Sequence, residues 1–144
     1  MSREAPAHRS EFKAWTTFNT RWADNDAYAH VNNTVFYQWF DSAVNTWLVE
    51  QGLLDIENGD PIALVVETRC SYFAPLTFPE DVDVGLAIAQ LGRSSVRYRI
   101  GIFARHSSEA AAQGEFVHVV VDRADRRPAE IPPTWRAAFV QLLA

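Results

Sequence analysis

Cysteine is almost missing: Cys70 stands alone in 144 residues, so no internal disulfide can form and no extracellular disulfide framework is in play. Positive charge is also short. Thirteen Lys and Arg against eighteen Asp and Glu give a formal charge of -5, and without clustered basic side chains there is no electrostatic footprint for a phosphate backbone. Nucleic acid is therefore not an expected partner. No apolar run approaches the roughly 18 to 20 residues that span a bilayer, and the opening "MSREAPAHRSEFKAW" lacks a basic start followed by an apolar core. A cytoplasmic protein without a membrane partner is expected. The phosphate-cradling patterns "GxGxxG" and "GxxxxGK[ST]" are absent, as is the "GxSxG" nucleophile elbow. Cys70 has no base beside it in sequence and reads as inert packing.

What is present is globular composition, 48% apolar and 22% charged, in a length that suits one domain, here 1–144. From Phe12 to Arg21, "FKAWTTFNTR" places Phe12, Ala14, Thr16, Phe18 and Thr20 on one side of an expected first strand. In "TVFYQWFDSAVNTWLVEQG" the apolar residues fall at 35, 36, 39, 40, 43, 44, 47 and 48, a four-residue step that fits a helix and no strand. Asn32 or Asn33 can cap its start, and Gly52 can end it. Because four residues overshoot a full turn by roughly 40°, the apolar stripe creeps round the helix and needs cover over a broad arc.

The cover is supplied by four further strand patterns, at 62–74, 81–91, 95–104 and 114–123. Val82, Val84, Leu86 and Ile88 alternate with Asp81, Asp83, Gly85 and Ala87, as for a sheet with one buried face. Short connections predict an antiparallel meander. A proline-rich connector then leads to a terminal helix, about 134–143, with Trp135, Phe139 and Leu142 on one side. The fold class is α+β: five or six antiparallel strands wrapped round one long central helix. Open sheet edges predict pairing with a second copy.

Between the first strand and the helix lies "DNDAYAHVNN", Asp24 to Asn33. A calcium loop is excluded by spacing, since Ala29 and Val35 stand where such a loop needs glycine and glutamate. Asp26 and His30 alone supply too few ligands for a metal site. Two readings remain: a polar turn that satisfies backbone donors, and a carboxylate set beside the positive end of a helix, where free N–H groups can bind an oxyanion.

The runs "RWADNDAYAHVNNTVFYQWFDSA" (21–43), "SYFAPLTFPEDVDV" (71–84), "LGRSSVRYRI" (91–100) and "VHVVVD" (117–122) resemble the hotdog-fold acyl-CoA thioesterases of the 4-hydroxybenzoyl-CoA thioesterase type. The resemblance covers a core of about 12–133, and "DxDxxxHVNN" is its most specific part. It implies hydrolysis of an acyl-CoA without cofactor or metal, in a homodimer or homotetramer. By the same resemblance Asp26 is the catalytic carboxylate, and Asn33 and Thr34 mark the helix start whose backbone N–H polarises the thioester carbonyl. His30 matches a histidine of plant acyl-carrier-protein thioesterases, as a substrate contact, an acid-base aid or a loop-orienting group. Tyr28, Asn32, Arg93, Ser94 and Ser95 are the implied substrate-binding positions. Two other functions fit the same residues, a hydratase or dehydratase that leaves the thioester intact and a noncatalytic acyl-CoA-binding module. Further residues to locate are Glu67 as a second carboxylate, the sets Arg93, Arg97, Arg99 and Arg123, Arg126, Arg127 for coenzyme phosphates, and Trp15, Trp22, Phe36 and Trp39 for an acyl pocket.

Overall fold

The structure, a computed structural model, describes residues 4–144; the first three residues of the N-terminal stretch lie outside the described residues. Its organising element is helix α1, Asn33–Glu50, in which all eight apolar positions of the four-residue step are buried. Asn32 caps the start, its side chain accepting the Thr34 N–H at 2.9 Å. Gly52 follows the end at φ +73°, a left-handed conformation that costs glycine no Cβ clash.

Five strands wrap this helix: β1 Ala14–Asn19, β2 Ile62–Tyr72, β3 Asp81–Leu91, β4 Ser95–Ala104 and β5 Ala112–Val121. They form one antiparallel sheet in the order β1-β3-β4-β5-β2, which is a hotdog fold. The expected meander holds only for β3, β4 and β5. Strand β2 pairs with β5 at the far edge instead of following beside β3, because α1 at roughly 27 Å carries the chain across the whole sheet before β2 begins.

Both faces of the sheet are partly covered, where one buried face was expected. The inner face presents Val82, Val84, Leu86, Tyr98, Ile100 and Phe116 to the helix. On the outer face Ala7, Phe12, Ala87, Phe103 and Ala110 form a second apolar cluster. Phe12 is the correction: strand β1 starts at Ala14, and Phe12 turns to the outer face, where its ring meets the edges of Trp15 at 6.0 Å and Phe103 at 5.8 Å. Glycine makes the room, since a Cβ on Gly85 or Gly101 would lie 2.8 Å or 2.7 Å from Phe12. The crossing segment is tied down by Gln113, which accepts the Ala7 N–H and donates to the Ala5 carbonyl.

The terminal helix α2, Pro133–Val140, is shorter than the expected span, and its Phe139 stacks on Trp47 of α1 at 5.8 Å. Residues beyond it leave the helix because their backbone pairs with β3: Ile88 N–H donates to the Leu142 carbonyl and Ala144 N–H to the Ile88 carbonyl. No helix among the described residues is long and apolar enough to cross a membrane.

One polar pair lies inside this core. Tyr98 and His118 are both buried, and neither Tyr98 Oη nor His118 Nδ1 has a partner among the described residues. Burial pushes the His118 imidazole down to about 4, because a charged ring there would lose its hydration. Below the ordinary value near 6.5 the unfolded chain takes up a proton that the folded chain refuses. Stability from this residue is therefore complete above about 6.5 and falls as pH drops toward 4, by at most about 1.4 kcal/mol per pH unit. Thermal unfolding of wild type and His118→Leu at pH 7.5 and 4.5 is expected to show the smaller acid loss in the variant; equal losses would rule out His118 as the acid-sensitive group.

Candidate functional site

The two acids of "DND" separate at once. Asp24 closes a short turn, Trp22–Asp24, and is buried. Its carboxylate accepts the Arg21 backbone N–H at 2.8 Å and the Arg21 guanidinium at 2.9 and 2.7 Å, while its carbonyl accepts the Asn32 N–H at 2.8 Å. Asp24 is a structural link between the strand exit and the helix entrance. Asp26 is different. A small hairpin, bridged between Asn25 and Val31, carries it near the tip, with its N–H donated to the His30 carbonyl at 2.8 Å and its carbonyl accepting the Ala29 N–H at 3.1 Å. Asp26 Oδ1 accepts the Tyr28 N–H at 2.8 Å and, more distantly, the His30 N–H at 3.5 Å. Asp26 Oδ2 has no hydrogen-bond partner among the described residues.

Asp26 lines a cavity of about 380 Å³ together with His30, Asn33, Val31, Phe36, Tyr72 and Leu76, closed further by residues 73–75. The Tyr72 ring packs edge-on against Phe36 at 5.1 Å, and its hydroxyl donates to the Asn33 carbonyl at 3.2 Å. Burial raises the Tyr72 phenol above its ordinary value and pushes the Cys70 thiol up to about 11. Both stay protonated near neutrality, so neither offers an anionic nucleophile. At the helix start, Asn32 Oδ1 occupies both the Thr34 N–H and the Thr34 hydroxyl, and the Val35 N–H donates to the Asn32 carbonyl. The Asn33 N–H has no partner among the described residues. Of the two implied donors, Asn33 is the open one and Thr34 is spent on the cap. Asp26 and Asn33 thus line one cavity, and a carboxylate with a helix-start backbone N–H is a pairing suited to a carbonyl centre.

The structure brings Asp26, His30 and Asn33 together, with Asn32 beside them as the cap. Tyr28 contributes its backbone N–H, while its side chain is exposed. Arg93, Ser94 and Ser95 are elsewhere. They form the β3–β4 connection, where Ser95 pairs with Val119, whereas the cavity lies at the other end of the sheet beside Tyr72 and its partner Ala112. Along β4 the step from Ser95 to Ile102, which pairs with Ala112, separates the two by about 23 Å. Glu67 faces out and pairs with Arg97 at 3.8 Å. Arg97 and Arg99 are engaged by Glu115 and Glu11, and Arg123 donates to the carbonyls of Gly59 and Ile56. Of the four aromatics, Phe36 lines the cavity, Trp39 is core, Trp15 joins the outer cluster and Trp22 is 78% exposed.

Three residues at the site escape sequence reasoning. Asn25 Oδ1 accepts the Phe78 N–H at 3.1 Å, Thr77 Oγ1 donates to the Ala29 carbonyl at 2.7 Å, and Tyr72 supplies the wall described above. Asn25 carried a weak signal as one more polar residue in the decapeptide. Thr77 lay in the resembling run 71–84 but carried no signal of a role, since "PLTFPE" reads as a plain connector. Among the described residues no group of three His, Cys, Asp or Glu side chains is placed to hold a metal ion.

A five-strand antiparallel sheet wrapped round one long helix is the fold shared by proteins of the thioesterase-like class. The chain belongs to the thioesterase-like superfamily, whose family model it matches over residues 20–139. It is similar to the PA5185 protein from Pseudomonas aeruginosa strain PAO1, at 46% identity over 98% of each chain with a TM-score of 0.93. The PA2801 protein of Pseudomonas aeruginosa, a proposed thioesterase, is 29% identical over 86% of this chain and 95% of that one, with a TM-score of 0.81. Slr0204, a 1,4-dihydroxy-2-naphthoyl-CoA thioesterase from Synechocystis, shares the fold at 24% identity over 89% of this chain and 96% of that one, with a TM-score of 0.79. A search of curated proteins finds no significant match. Family membership supports thioester hydrolysis as the general chemistry.

The cap geometry generates a stability test beside the cavity. Asn32→Ala is expected to cost about 1 kcal/mol in urea unfolding, through loss of the Thr34 N–H partner. Asn33→Ala, on an exposed side chain, is expected to stay within about 0.5 kcal/mol. Equal losses would remove Asn32 as the cap.

Proposed function

We propose that the protein hydrolyses an acyl-CoA to free acid and CoA in the Asp26 cavity. The observation that carries this reading is that Asp26, with one carboxylate oxygen unpartnered among the described residues, and Asn33, at the open start of the helix, line the same cavity. The Asn33 N–H polarises the thioester carbonyl and takes the charge that develops on its oxygen. Asp26 either removes a proton from the attacking water or attacks the carbonyl carbon itself, giving a mixed anhydride that water then opens. In both routes the C–S bond breaks, the thiolate leaves as CoA, and the solvent proton balance is the same. His30 borders the reacting carbonyl as substrate contact or loop-orienting group, and Phe36, Val31 and Leu76 receive the acyl group.

Arg93, Ser94 and Ser95 are assigned to the coenzyme portion in a second copy of the chain. At about 23 Å along β4 they lie at the opposite end of the sheet from the same chain's cavity, so the reading includes a homodimer or homotetramer. Edge strand β2 supports pairing of copies: Val65 and Val66 are 47% and 60% exposed there, and an uncovered apolar edge favours association. The expected setting is cytoplasmic, with no cofactor.

Release of free thiol from a panel of acyl-CoAs tests the activity and separates it from hydration, which keeps the thioester, and from binding without turnover. Asp26→Asn is expected to lower kcat/KM roughly a hundredfold or more. Near-wild-type turnover by the folded variant would overturn the assignment.

A further inference from the structure

We propose that Thr77 is a positioning residue, whose hydroxyl holds the Asp26 hairpin in its reactive geometry through the carbonyl of Ala29. This rests on the reading of Asp26 as the reactive carboxylate. Ala29 has φ +63°, in the left-handed region where a Cβ crowds the following carbonyl. Such a conformation persists only where its surroundings over-determine it. Here they do. The Ala29 N–H is held by the Asp26 carbonyl at 3.1 Å, and the Ala29 carbonyl accepts the Thr77 hydroxyl at 2.7 Å. The other acceptor near that hydroxyl, the Phe78 carbonyl, is longer at 3.3 Å.

Thr77 is itself fixed. Its N–H donates to Glu80 Oε1 at 3.3 Å, and Asn25 Nδ2 approaches its Oγ1 at 3.4 Å. Asn25 Oδ1 accepts the Phe78 N–H, and the Val31 N–H donates to the Leu76 carbonyl at 2.8 Å. Segment 76–78 therefore grips the hairpin at both ends and at its tip, and Asp26 lies between the gripped points. The Tyr28 N–H that orients Asp26 Oδ1 belongs to the same tip. If the tip turns, that donor leaves and Oδ2 loses its aim. A displacement near 1 Å is enough to cost up to a hundredfold in rate.

The test compares Thr77→Val, which keeps the shape and removes the hydroxyl, with Thr77→Ser, which keeps the hydroxyl, and uses Asp26→Asn as control. For Thr77→Val, kcat is expected to fall about tenfold with KM changed less than about twofold. Amide hydrogen exchange at 27–31 is expected to quicken, and Thr77→Ser is expected to restore both. Wild-type kcat in Thr77→Val beside an inactive Asp26→Asn would overturn the clamp and leave the Asp26 reading intact. Equal defects in Thr77→Ser and Thr77→Val would also overturn it, by placing the effect in the methyl group. If Asp26→Asn stays active, the Asp26 reading fails separately, and hydrogen exchange alone decides: unchanged exchange in Thr77→Val sinks the clamp, quickened exchange shows that it holds the hairpin.

Discussion

Everything in this fold follows from the need to bury the broad apolar arc of one helix. The stripe on Asn33–Glu50 drifts as it climbs, so Val35, Phe36, Trp39 and Phe40 point in different directions from Val44, Trp47 and Leu48, and all are buried. A single strand pair cannot cover such an arc, whereas a curved five-strand sheet can. The sheet order is the geometric consequence. A helix that must lie across the sheet delivers the chain to the opposite edge, and β2 therefore pairs with β5 while β1 stays beside β3.

The same constraint places the site. A helix crossing the inner face must enter at one end of the sheet, and its first free N–H groups arrive there unpaired by any strand. Asn32 uses its side chain to satisfy one of them, Asp24 anchors the Asn32 N–H, and the Asn33 N–H is left over. The cavity beside it is walled by Phe36 from the helix and Tyr72 from the end of β2, elements that the crossing brings together. The proposed reaction centre is thus the incompletely satisfied end of the element that organises the core. Neighbouring acids in "DND" divide accordingly: Asp24 is consumed in holding the entrance, and Asp26 keeps an oxygen open.

How far the sequence was readable depends on the range of the interaction. The eight buried helix positions, a cap at Asn32 or Asn33 and the terminator at Gly52 were legible, because spacing and backbone preference act within a few residues; the structure chose Asn32. All five strands were placed within two residues at each end, since alternation is equally local. Phe12 was misplaced because the sequence cannot tell an inward residue from one that folds onto the outer face, where Gly85 and Gly101 leave room. The meander failed for the same kind of reason: β2 and β3 are consecutive in sequence, but pairing is decided by the helix between β1 and β2. Within the candidate site, the decapeptide marked its own importance, whereas Thr77 and Tyr72 lay in the resembling run 71–84 with no role of their own legible, being ordinary residues in a connector and a strand.

The sequence by itself determined the helix and its buried face, most of the strands, the absence of a disulfide, and a polar segment at the helix entrance that carries the resemblance to thioesterases. These are consequences of periodicity, turn chemistry and composition, which need no knowledge of what lies opposite. Tertiary structure alone decided which acid is buried and which is open, which of the N–H groups of Asn33 and Thr34 remains unpaired, and which strands sit at the edges. It also separated Arg93, Ser94 and Ser95 from the cavity by most of the length of β4. Those outcomes depend on hydrogen bonds and contacts between residues far apart in the chain, and such pairings exist only once the sheet has closed round the helix.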